Sequence, residues 1–250
     1  MNRDRPAGEA EARASSFRSR LGFAGLMLLL TFVFVGLGTW QVQRLFWKLD
    51  LIERVETRVH APAVPAPSLS EWAEVAAATD EYRHVTAKGF FDHDKSALVQ
   101  AVTERGAGFW VLTPLRVNDG STFLVNRGFV PADRSARDAR LGSELAAGPV
   151  SVTGLLRISE PGGGFLRSND PANDRWFSRD VAAIAEAKAL KDVAPYFIDA
   201  DGTPNAGGLP IGGLTVVAFR NSHLVYALTW YSLAIMSAVA AWFILRRRVA

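Results

Sequence analysis

No cysteine occurs in the 250 residues of this chain. Disulfides, thiol redox chemistry, iron–sulfur ligation and thiolate copper carriage are therefore excluded. Histidine is scarce, with four residues. None sits in a His-Glu-x-x-His spacing, and no Ser/His/Asp arrangement is apparent. Gly162-Gly163-Gly164 is not followed by a helix, so it is no phosphate cradle. The net charge is only +3, and basic residues are not massed on one face, which speaks against a nucleic-acid partner. With no catalytic constellation, the chain reads as a non-enzyme.

What the sequence does have is apolar residues gathered at its two ends. Leu21 to Val42 carries no charge, nor does Leu224 to Leu245. Each run is about 22 residues, a helix of roughly 33 Å, which suffices for one membrane crossing. The first run is too long for a signal-peptide core and lacks a small-x-small cleavage site. Arg3, Arg5, Arg13, Arg18 and Arg20 precede it, and Arg246-Arg247-Arg248 follow the second run. Positive flanks stay in the cytoplasm. Both termini are thus expected there, with the long middle segment outside.

The expected organisation follows in order. Residues 1–20 read as a disordered basic tail, 21–42 as the first span, and 43–60 as an amphipathic helical extension. In that extension Leu45, Leu49, Ile52, Val55 and Val59 form one face. Pro62, Pro65 and Pro67 open a linker over 61–80, in which Ser68 and Glu71 resemble a capping box. Residues 81–222 form the outer domain, 223–245 the second span and 246–250 a cytoplasmic tail. Strands are predicted at Tyr82–Phe91, Ala97–Val102, Phe109–Val117, Thr122–Val130, Val150–Ile158, Tyr196–Asp199 and Leu214–Arg220, with turns at Asp92–Lys95 and Asn118–Gly120. A helix capped by Ser178-Arg179-Asp180 runs to about Leu190. The fold class expected is an α+β membrane protein: two transmembrane helices flanking a mainly antiparallel, barrel-like extracytoplasmic domain.

Asp92-His93-Asp94 has the composition of a metal or acid–base cluster, but adjacent residues point apart, and a solvated turn is the better reading. Asn126-Arg127-Gly128 reads as a bend with an arginine tip. His223 differs, standing where the second apolar run meets its polar flank. On a helix, Tyr226, Ala227, Trp230 and Tyr231 share its face. Such a wall could hold a flat, iron-bearing ring with His223 as axial ligand. The competing reading, which spacing alone favours, is an interfacial aromatic belt in which His223 touches headgroups. Ala234, Ser237, Ala238 and Ala241 are expected on the other face, meeting Gly22, Gly25 and Gly36 of the first span.

Several segments together resemble the Surfeit-locus family of cytochrome c oxidase assembly proteins. They are Leu37-Gly38-Thr39-Trp40-Gln41-Val42-Gln43-Arg44, Tyr82-Arg83-His84-Val85, Gly108 to Leu115, Leu124 to Pro131, and Asn221-Ser222-His223-Leu224-Val225-Tyr226-Ala227-Leu228-Thr229-Trp230-Tyr231. The likeness runs from about Gly36 to Trp242, with Phe129 where many relatives have Trp. The resemblance implies a multi-pass inner-membrane assembly factor, in a bacterium with a periplasmic central domain. It implies haem a as a transient ligand on His223, with Tyr226 and Trp230 beside it. The implied partners are the catalytic subunit of cytochrome c oxidase, the haem a synthesis machinery and membrane lipid. A purely scaffolding factor and a membrane-tethered enzyme are the alternatives.

Overall fold

The computed structural model describes residues 5–144, 148–164, 166–215, 219 and 221–246. Among the described residues four α-helices are formed: α1 (Arg5–His60), α2 (Ala77–Asp80), α3 (Val181–Ala187) and α4 (His223–Arg246). Seven strands lie between α1 and α4 in sequence: β1 (Val64–Pro65), β2 (His84–Phe91), β3 (Ala97–Thr103), β4 (Gly106–Val117), β5 (Thr122–Pro131), β6 (Val150–Ile158) and β7 (Val193–Ala200). The chain divides into two compact units, Met1–Glu53 with Ala218–Ala250, and Arg54–Val217.

The second unit is a small barrel. The sheet order is β1-β2-β6-β7-β5-β4-β3, and β2 also pairs with β4. The ring β2-β6-β7-β5-β4 therefore closes on itself, which removes the exposed edges an open sheet would leave. Most pairs are antiparallel, but β1–β2 and β5–β7 run parallel. Side chains alternate across each strand. On one side Val85, Leu115, Phe123, Val125, Leu156, Tyr196 and Ile198 fill the barrel. On the other, Leu124, Leu112, Val99 and Phe197 pack under Trp176, Val181 and Ile184. β5 is buried on both faces from Thr122 to Val130, the polar Asn126 and Arg127 included, so its sequence does not alternate. Gly154 is required where β6 crosses β7, because a Cβ there would strike the Asp199 carbonyl.

Six of the seven expected strands form, within two or three residues of their predicted bounds. The seventh, Leu214–Arg220, falls mostly outside the described residues: Val216, Val217, Ala218 and Arg220 are not among them, and Leu214 and Thr215 lie in no strand. β1 was not legible, since two residues carry no period. The helix capped by Asp180 forms, with the Asp180 side chain accepting from Ala183 N at 3.1 Å. Glu71 does reach back to Ser68 N at 2.7 Å, but only a single 3-10 turn, Trp72–Glu74, follows.

α1 already begins at Arg5, where the sequence reads as a disordered tail. Its Ala, Glu and Arg residues are strong helix formers and continue the span without a break. Met1 to Asp4 and Arg247 to Ala250 lie outside the described residues. α1 and α4 are both long and apolar enough to cross a membrane. Much of their apolar surface is exposed, including Leu21, Phe23, Phe32, Leu228, Ile235 and Met236.

Candidate functional site

In the barrel unit the most connected polar group is Asp199, which is 2% exposed. It ends the apolar run of β7 and points to the same side of the wall as Phe197. Asn126 Nδ2 on β5 donates to its Oδ1 at 2.7 Å. Arg157 Nη1 on β6 donates to its Oδ2 at 3.0 Å, as does Thr215 Oγ1. Arg179 Nη1 lies 3.3 Å from both oxygens. Glu81 holds Arg157 Nε at 2.9 Å, and Glu160 holds Arg179 Nε at 3.0 Å. Phe197 lies under the Arg179 guanidinium at 4.8 Å. Burial would pull the Arg157 guanidinium down, but Asp199 and Glu81 hold it above its ordinary value. A cavity of about 580 Å³ opens beside this network, lined also by Tyr82, Trp110 and Arg105. Each oxygen of Asp199 is satisfied, so the network clamps three strands rather than presenting a reactive group.

Asp92, His93 and Asp94 diverge to three different arginines. Asp92 faces Arg116 at 3.8 Å, Asp94 pairs with Arg137, and His93 Nδ1 lies 3.3 Å from Arg127 Nη1. Among the described residues no group of three or more His, Asp or Glu could hold a metal ion. Arg127 is not a surface tip as the sequence suggested. It is 5% exposed, its guanidinium over Phe91 at 4.9 Å and its Nη2 donating to Asn205 Oδ1 at 3.1 Å. Burial pulls Arg127 down to about 10, with Glu144 opposing. Burial, and then the Arg127 charge, holds His93 below its ordinary value.

His223 belongs to the helical unit. It occupies the first turn of α4, its backbone N–H accepted by Asn221 Oδ1 at 3.3 Å. Its ring is half-buried, and Nδ1 lies 2.7 Å from Gln41 Oε1 on α1. Further along, Thr39 Oγ1 and the Tyr231 hydroxyl are 3.1 Å apart, and Trp230 stacks on Phe34 at 5.7 Å. A Cβ on Gly38 would come within 2.8 Å of the Tyr231 ring. The less exposed residues of α4 include His223, Ala227, Trp230, Ala234, Ser237, Ala241 and Ile244, with Tyr231, Leu233, Ala238 and Ala240 half-buried as well. Those of α1 include Ala24, Met27, Thr31, Phe34, Gly38, Gln41, Leu45 and Lys48. The series from His223 to Ile244 and that on α1 both alternate steps of three and four, the 3.5-residue repeat of a coiled-coil seam.

That repeat corrects the expected faces. The aromatic wall and the small-residue stripe are expected on opposite sides of α4. Ala227 and Trp230 instead share the seam with Ala234, Ser237 and Ala241, because eleven residues return a helix nearly to the same angle. Tyr226 stands outside the seam, 55% exposed. Gly22, Gly25 and Gly36 are exposed, with nothing near a notional Cβ; Gly38 makes the close approach. Sequence reasoning missed Gln41 and the whole Asp199 network. A carboxylate directly after Tyr196-Phe197-Ile198, and an arginine inside β6, were the available signals for the second.

Fold and site together define a class: chains in which a small closed barrel lies, in sequence, between two long apolar helices joined along a seam that carries a histidine. Residues 28–235 match the SURF1 family, and the chain belongs to that family. Surfeit locus protein 1 of Homo sapiens is 36% identical over 244 residues, spanning 90% of this chain and 78% of that protein. The Mus musculus protein is 37% identical over 242 residues, spanning 90% and 76%. A SURF1-like protein of Monosiga brevicollis is 35% identical over 242 residues, spanning 91% and 88%.

Proposed function

We propose that this chain is a membrane-bound, non-enzymatic assembly factor for haem-copper cytochrome c oxidase that holds haem a and hands it to the catalytic subunit. Membership of the SURF1 family supports the assembly role. The observation that carries the haem reading is His223, half-buried in the first turn of an apolar helix beside the exposed ring of Tyr226. The donor set fits such a cargo. Imidazole supplies a nitrogen lone pair for axial ligation of iron, and Tyr226 offers an aromatic surface for contact. Trp230, stacked on Phe34, holds the helix pair in register and touches the cargo less. One neutral nitrogen donor at a partly open site binds reversibly, which suits delivery.

In this reading α1 and α4 span the inner membrane, with both termini on the arginine-rich cytoplasmic or matrix side. Residues 81–222 then face the periplasm or the intermembrane space. The docking partner is the oxidase's catalytic subunit, and the haem is supplied by the haem a synthesis machinery. The test is to purify wild type and His223→Ala from cells that make haem a, and to compare bound haem per protein and visible spectra. Loss of the ligand-dependent spectrum with insertion intact is the expected result. Equal haem and equal spectra would leave the scaffolding alternative, which the packed seam at Trp230 and Tyr231 favours.

A further inference from the structure

We infer that Gln41 is a positioning residue for His223: its side-chain oxygen takes the Nδ1 proton, so the neutral ring presents its lone pair on Nε2. This rests on the haem reading above and names how the donor is prepared. An amide oxygen can only accept. With Nδ1 and Oε1 2.7 Å apart, the ring nitrogen must donate. A neutral imidazole has one N–H, so Nε2 is left as the donor. Metal-binding histidines generally have their other nitrogen engaged in this way.

The contact is built in. Gln41 and His223 both lie in the seam, whose other members on α1 are largely apolar or small. An amide in such a seam is costly unless it is hydrogen-bonded. Its register is set on the same stretch by Gly38 under Tyr231, by Thr39 with Tyr231, and by Phe34 on Trp230. The His223 backbone is set by Asn221. Helix packing therefore brings the amide and the ring together before any ligand arrives. The partner is an amide rather than a carboxylate. A carboxylate would raise the basicity of the ring and tighten its hold on a metal; an amide orients the ring without that added hold, which favours release.

The experiment uses the full-length protein in detergent micelles, with ¹⁵N-labelled histidine and haemin as the probe. Among the signals of the four histidines, those of His223 are identified by their loss in His223→Ala. Before haemin is added, wild type should show Nδ1 protonated and Nε2 bare. Gln41→Leu and Gln41→Met, two apolar variants in case one does not fold, should shift the ring towards the Nε2–H form. Gln41→Glu should restore the wild-type form. On titration with haemin, the apolar variants should bind about 10- to 100-fold more weakly through His223, and Gln41→Glu more tightly than wild type. An unchanged tautomer in both apolar variants overturns the inference. So does an altered tautomer with unchanged haemin affinity while His223→Ala still loses binding. Haemin binding that is the same in His223→Ala as in wild type overturns the haem reading itself, and with it the purpose assigned to Gln41.

Discussion

Replacing Asp199 with asparagine tests the central claim about the barrel. The change keeps the side chain's size and removes one charge. Both carboxylate oxygens accept hydrogen bonds: Oδ1 from Asn126 and Arg179, Oδ2 from Arg157, Arg179 and Thr215. Whichever way an amide is turned, its NH₂ faces donors, so no orientation restores the set. Two guanidinium groups, with side chains 13% and 15% exposed, lose their shared counter-charge. Breaking a buried pair generally costs about 3 to 5 kcal/mol. Here Glu81 and Glu160 remain beside Arg157 and Arg179, so the low end applies, about 3 kcal/mol. That is roughly a hundredfold in the unfolding equilibrium. The assay is urea unfolding of the full-length protein in detergent, followed by tryptophan fluorescence, to which the buried Trp176 contributes. Asp133→Asn, at an exposed carboxylate, serves as control and should change stability by less than about 0.5 kcal/mol. Adding Arg179→Met to Asp199→Asn should cost less than Arg179→Met alone, because the Asp199 pairing it would break is already gone. A loss below about 1 kcal/mol for Asp199→Asn would refute the reasoning and mean that the arginines reach water when the carboxylate is lost.

Other perturbations address the remaining elements. Ala234→Leu with Ala241→Leu adds bulk at two buried seam positions and should abolish oxidase assembly while leaving barrel unfolding unchanged; normal assembly would mean that the seam tolerates separation. The folded-state pKa of His93 lies below 6.5, so as pH falls below that value the unfolded chain takes up the proton first and stability declines. His93→Gln should flatten this slope in denaturation curves taken between about pH 7 and 5, and an unchanged slope would remove His93 from the account. Phosphatase fusions within 81–222 should be active and fusions after Arg248 inactive; the reverse pattern would invert the orientation read from the arginine flanks.

Sequence alone determined what local chemistry and period can determine. The two uncharged runs, the arginines beside them and six of the strands follow from composition and from spacings that repeat over short range. The histidine at the head of α4 stands out because it lies where the second apolar run meets its polar flank. Only the tertiary structure decided what those elements face. Whether Trp230 meets a ligand or Phe34 depends on a partner nearly 200 residues away in sequence, and seam register is fixed by Gly38 rather than by the glycines that local spacing suggested. In the sequence Gln41 is one more polar residue at the end of a span, and only packing sets it against His223. Asp199 gathers Asn126, Arg157, Arg179 and Thr215 from four separate stretches, and no periodicity encodes that meeting. It arises from ring closure, which sets β5, β7 and β6 side by side and brings one carboxylate to the arginines that Glu81 and Glu160 also hold.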